Sequence, residues 1–140
     1  MIDGSALISA FGLLMDPLTL FLLVFGIVVG LVIGILPGLG PPIAIALALP
    51  FTFYMDTVPS LVLLLGIYSA AIYGGSISAI AVGIPGTGAA IATVLDGHNM
   101  FKSGRGGEAL GFSLTGSIIG GLFSAVCLML VAPPLADLAV

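Results

Sequence analysis

Three apolar stretches without a single Asp, Glu, Lys or Arg fill most of the chain, at residues 17–55, 57–95 and 109–136. Each is long enough to hold a membrane-spanning helix, which needs about 20 apolar residues. The first opens as LTLFLLVFGIVVGLVIGIL over 18–36 and then meets Pro37-Gly38-Leu39-Gly40-Pro41-Pro42. The second runs as SLVLLLGIYSAAIYGGSISAIAVGI and meets Pro85-Gly86-Thr87-Gly88-Ala89-Ala90. No regular helix continues through such a sequence, because proline lacks the backbone donor and disfavours helix in the residue before it, while glycine admits angles other residues avoid. The pattern predicts an all-α, polytopic integral membrane protein whose helices are interrupted at P-G-x-G motifs. Its single transmembrane domain divides into an interfacial helix over 1–15, broken-helix units over 17–55 and 57–95, a polar loop over 96–108 and a transmembrane helix over 109–136.

The two broken units resemble each other. PGLGPPIAIAL at 37–47 matches PGTGAAIATVL at 85–95 at six of eleven positions, and MDPLTLFLLVFGI at 15–27 matches MDTVPSLVLLLGI at 55–67 at Met, Asp, one Leu, Gly and Ile. An internal repeat is expected, with an insertion in one unit. Whether its halves are parallel or inverted depends on how often each crosses.

Composition agrees with a lipid environment: 60% of the 140 residues are hydrophobic and 6% charged, against about 25% charged in soluble domains. Six acids against two bases leave a net charge of −4, too scattered to make a field for nucleic acid. The single cysteine, Cys127, excludes a disulfide framework within one chain. The N-terminus carries Asp3 in place of the positive start of a cleaved signal. Both bases, Lys102 and Arg105, fall within 96–108, which places that loop on the cytoplasmic side.

Unwound backbone in lipid is tolerated only when buried in protein or lining a wet cavity, and paired interrupted helices mark substrate sites in secondary transporters. Helices that restart near Pro41 and Ala89 would turn free amides and positive dipole ends toward an anion such as a carboxylate or phosphate. The candidate site residues are therefore Gly38, Gly40, Gly86, Thr87 and Gly88 through backbone groups, with Ser76 and Ser78 as hydroxyl donors. The same oxygens suit a coupling sodium ion. No P-loop or dinucleotide fingerprint follows the glycines, and no catalytic constellation, metal site or cofactor site is legible.

Plainer readings stand beside these. The breaks could be turns at the membrane surface. Gly26, Gly30 and Gly34, like Gly116 and Gly120, have the spacing of helix packing faces, and a small scaffold that oligomerises through them would need no solute. Asp16 and Asp56 read as boundary or helix-cap residues, and Asp96 and His98 as members of a solvated loop.

At GILPGLGPPIAIALALPFTF (34–53), GIYSAAIYGGSISAI (66–80) and IPGTGAAIATVLDGHNMFKSGRGGEALG (84–111) the chain closely resembles the large membrane subunit of the tripartite tricarboxylate transporter family, the TctA-like proteins of bacteria. The resemblance implies a multi-pass carrier of the bacterial inner membrane that takes up citrate or related carboxylates, driven by a sodium or proton gradient. It also implies a small membrane subunit and a periplasmic solute-binding protein as partners, and leaves a homo-oligomer open. The chain departs from the family at Asp96-Gly97-His98-Asn99, where DGYP is usual, and at Gly88, where proline or another residue is expected. Members are several times longer, so the chain reads as the N-terminal portion of a larger transporter.

Overall fold

The computed structural model describes residues 4–138, so Asp3 lies outside the described residues. Helix α1 spans Gly4–Leu14, α2 Pro17–Ile35, α3 Gly40–Thr52 and α4 Thr57–Val82. A 3-10 turn at Gly88–Ala90, α5 at Ile91–Thr93, a π turn at Val94–His98 and α6 at Asn99–Lys102 follow as one helical segment, and α7 spans Gly106–Leu138. Among the described residues there is no strand. Pro17–Ile35, Thr57–Val82 and Gly106–Ala132 are long and apolar enough to cross a membrane.

Local sequence explains the starts. Asp16 caps α2 by accepting from the amides of Leu18 (3.1 Å) and Thr19 (3.3 Å), and Pro17 fills the first position, where its missing N–H costs nothing. Asp56 precedes α4 in extended conformation but makes no side-chain cap bond. The region expected as a polar loop over 96–108 differs: it is helical through Lys102, and α7 already begins at Gly106. Local polarity there reads as loop, but contacts with α4 hold the helix.

Packing is carried by small residues. A Cβ on Gly26 would lie 2.7 Å from the carbonyl oxygen of Leu63; one on Gly30 would collide with the Ile67 backbone, and one on Gly34 with that of Ala71. These contacts climb both helices together, so α2 and α4 run parallel, with Gly66 and Gly74 of α4 pressed in turn against Leu23 and Gly34. Helix backbones come this close in lipid because hydrophobic drive between helices is absent there and dispersion at short range must replace it.

Parallel long helices require a return between them, and α3 provides it. At 1.5 Å per residue α3 is about 20 Å long, too short for the roughly 30 Å hydrocarbon core. It buries Ala44 against Leu63, Ile67 and Ala71, with Leu22, Ile33 and Met55 at the margin. Large side chains such as Phe21, Val24, Val28 and Phe123 point outward instead, the reverse of a soluble protein. Along α7, Gly116 and Gly120 have no neighbour within 4 Å among the described residues, so that face is open.

Gly30→Leu should cost at least about 1–3 kcal/mol, the scale of overpacking, and lower the thermal unfolding midpoint in detergent followed by circular dichroism. Gly120→Leu should leave the midpoint unchanged.

Candidate functional site at the paired helix breaks

The second break folds back into the protein. Gly83 ends α4 in the left-handed region (φ 78°), its amide bonded to the Ala79 carbonyl, an arrangement glycine accepts without steric cost. Ile84 to Thr87 then retrace α4, and the Gly86 amide donates to the Gly75 carbonyl at 3.3 Å. Gly75 lies about 10 Å short of the α4 terminus at the helical rise per residue. From Gly88 the chain climbs again: Gly97 packs on Ile80 and the His98 ring on Gly83. His98 Nδ1 donates to the Ile80 carbonyl at 3.0 Å, since a carbonyl can only accept. The break is thus a re-entrant loop, and His98, expected in a solvated loop, is half-buried because the continuing helix carries it onto the end of α4.

The first break meets the second at this level. A Cβ on Gly86 would lie 2.7 Å from the Gly34 carbonyl oxygen, 2.7 Å from Gly75 Cα and 2.8 Å from Ser78 Oγ. Gly40, in the left-handed region at φ 59°, faces the Gly86 carbonyl. Four of the sequence-predicted residues, Gly40, Ser78, Gly86 and Thr87, therefore gather at one junction. Gly34, which its spacing marks as a packing residue, and Gly75 complete it. Their one available signal was small size in the stretches beside the breaks.

Side chains at the junction differ in satisfaction. Ser78 is buried and donates to the Gly75 carbonyl at 3.0 Å. The Thr87 hydroxyl is buried over the Gly75 position and has no hydrogen-bond partner among the described residues, a state that costs about 1–3 kcal/mol. Gly38, at φ 92°, and Gly88 are both exposed, with nothing within 4 Å of a Cβ placed on either.

The two restarting helices also differ chemically. Pro41 and Pro42 occupy the first turn of α3, so two of the amides that would face an anion do not exist. At the other restart the Ala90 amide is bonded to the Thr87 carbonyl at 3.0 Å, and the Ile91 amide to that of Gly88. The amides of Gly88 and Ala89 precede this bonding, on exposed residues.

Ser76 faces away from the junction, into a cleft of about 530 Å³ between α4, the 88–102 segment and α7. Asp96 lines this cleft with Thr93, Ser113 and Ser117, and Ala89 stands at its edge. The sequence reading missed this convergence, though the three- and four-residue spacing of Thr93, Asp96 and Gly97, repeated at Ser113, Gly116 and Ser117, carried it. Across α4, Tyr73 donates to the Leu110 carbonyl of α7 at 3.4 Å. The two bases stand apart: Arg105 pairs with Glu108 at 2.6 Å in an exposed position, and Lys102 is exposed.

The model of the tripartite tricarboxylate transporter TctA family matches residues 20–140. A protein of Agrobacterium vitis described as an uncharacterized 52.8 kDa protein in the TAR-I ttuC' 3' region is 43% identical over 95 residues. That match covers 68% of this chain and 19% of the relative, so the chain spans only a minor part of that relative's length. No solved structure matches the chain.

Gly75→Ala would set a methyl 2.7 to 3.0 Å from the side chain and amide of Thr87. It should lower stability by about 1–3 kcal/mol and speed amide hydrogen exchange across residues 84–90. Gly88→Ala, in open space, should do neither.

Proposed function

The chain belongs to the tripartite tricarboxylate transporter TctA family, and from that premise we propose that its re-entrant break forms part of the path by which citrate or a related tricarboxylate or dicarboxylate is taken up. The observation that carries the proposal is the meeting of the two P-G-x-G breaks below the end of α4, beside a buried threonine hydroxyl without a partner. A carboxylate arriving there would receive the amides of Gly88 and Ala89 and the positive end of the restarting helix. It would also give the Thr87 hydroxyl an acceptor.

Motion follows from the same contacts. Glycine packing and the single hydrogen bond from Gly86 to Gly75 hold the loop's tip to α4. Release of that contact would let the 84–90 segment swing while α2 and α4 stay packed, an arrangement suited to alternating access around a fixed site. The energy source in this reading is a sodium or proton gradient. The wider system comprises a small membrane subunit and a periplasmic solute-binding protein in a bacterial inner membrane, with Lys102 and Arg105 on the cytoplasmic side. Because the chain spans a minor part of its relative, remaining elements of the carrier would close the site.

The experiment is carboxylate-dependent protection of a cysteine. With Cys127 replaced, Thr87→Cys should react with a small thiol reagent in membranes, and citrate should slow that reaction. Gly86→Leu should abolish [14C]citrate uptake by a carrier whose insertion is verified. Unchanged labelling with every carboxylate tried, together with normal uptake by Gly86→Leu, would overturn the assignment and leave a scaffold role.

A further inference from the structure

The cleft lined by Ser76 and Asp96 has a chemistry opposite to that of the amides at Gly88. Its polar side chains come from three separate segments: Ser76 on α4, Thr93 and Asp96 on the climbing segment, and Ser113 and Ser117 on α7. Ser76, Thr93 and Ser113 are half-buried, and Asp96 and Ser117 are exposed at the cleft's open side; polar groups in a membrane-spanning helix bundle are expensive unless they meet a polar partner, so this convergence calls for a polar occupant. Among the described residues the only ion pair is Arg105 with Glu108, which leaves the Asp96 carboxylate without a cationic side chain.

That carboxylate decides the sign of the occupant. A di- or tricarboxylate would meet a like charge in the cleft, whereas a cation would be attracted. The donors are all oxygens and only one carries formal charge. Among the described residues no group of three His, Cys, Asp or Glu side chains could hold a metal ion, which removes the usual transition-metal ligand sets. Calcium and magnesium favour oxygen sites with more carboxylates or retained water and phosphate. One carboxylate and several hydroxyls match a small monovalent cation.

Backbone contacts fix the place of Asp96 in the fold. Asp96 sits in the π turn Val94–His98, a local widening that recurs at functional sites. Gly97 is buried, and a Cβ there would lie 2.8 Å from Ile80 Cγ1, while His98 is bonded to the Ile80 carbonyl. Gly97 and His98, the last two residues of the turn, therefore hold it against α4.

We infer that this cleft is a sodium site, with Asp96 as the charged ligand and the hydroxyls of Ser76, Thr93, Ser113 and Ser117 as neutral oxygen donors. The inference rests on the transport reading for its role as the coupling site, and it deepens that reading by giving the driving ion a place. One helical segment would then bear the anion at its start and the cation about two turns further along, so that each ligand favours the same placement of the segment. Such mutual preference for one state is a coupling between sites and acts in both directions.

The test is 22Na+ binding to the purified protein in detergent, with choline chloride holding ionic strength constant and with no carboxylate present. Saturable binding is expected. Asp96→Asn should raise the Kd by at least about tenfold, the scale on which even outer-shell partners alter metal affinity, and Ser113→Ala should raise it by a smaller factor. Asp56→Asn, at the start of α4, should not change it. If Asp96→Asn fails to fold, the Ser113→Ala and Thr93→Ala proteins decide: unchanged affinity in both overturns the site. Absence of saturable sodium binding in the unaltered protein overturns it as well. Citrate uptake measured separately distinguishes the two readings. Uptake that persists without sodium and in Asp96→Asn overturns the coupling role of the cleft and leaves the carboxylate path standing. Sodium binding that Asp96→Asn abolishes, in a carrier inert toward every carboxylate, supports the site and removes the carboxylate path.

Discussion

Backbone that leaves the helical path within a bilayer must find its hydrogen-bond partners in protein, because lipid offers none. The bond from the Gly86 amide to the Gly75 carbonyl meets that requirement, and much of the surrounding architecture makes it possible. Gly75 must lack a side chain for Thr87 to lie over it, and Gly86 must lack one to fit between Gly34 and Ser78. Gly34 reaches that point only because Gly26 and Gly30 let α2 run in backbone contact with α4. A line of small residues on α2 thus serves a loop distant in sequence, and the packing glycines and the site glycines belong to one arrangement.

Much of this was readable beforehand where a signal is local. Apolar length gave the three helices long enough to cross a membrane, P-G-x-G marked where the helical runs stop, and Asp16 followed by Pro17 marked the start of α2. The direction of the helices was not readable, because parallel packing of α2 and α4 depends on how far α3 returns, and periodicity carries no information about that. The segment 96–108 misled for a related reason. Asp-Gly-His-Asn has the composition of a solvated turn, but Gly97 against Ile80 and His98 on the Ile80 carbonyl keep it helical. Tertiary contact overrode local propensity there.

The candidate site divides along the same line. Gly40, Gly86 and Thr87 were singled out from the breaks because unusual backbone chemistry is written into the residues themselves, and folding brings them together with Ser78. Ser76 was also singled out, yet it belongs to the cleft on another face of α4. Asp96 was passed over because its partners in that cleft come from α4 and α7, and only folding brings those hydroxyls to it. Residues that act through their own backbone are legible in sequence; residues that act through convergence are much less so.

The similarity of the two breaks conceals a division of labour. Aligned by their P-G-x-G motifs, Leu39 corresponds to Thr87, Pro41 to Ala89 and Pro42 to Ala90. The first break therefore lacks the hydroxyl and, at Pro41, the counterpart of the unbonded Ala89 amide, while the amide missing at Pro42 corresponds to that of Ala90, which is bonded to the Thr87 carbonyl. Its prolines stiffen the start of α3 and cannot donate to any ligand, while Gly40 brings the chain against the carbonyl of Gly86. The first break is a brace built from the same motif, and the second is the one chemically equipped to receive an anion. Two equal half-sites would need donors on both restarting helices, and Pro41 and Pro42 remove that symmetry within these two units.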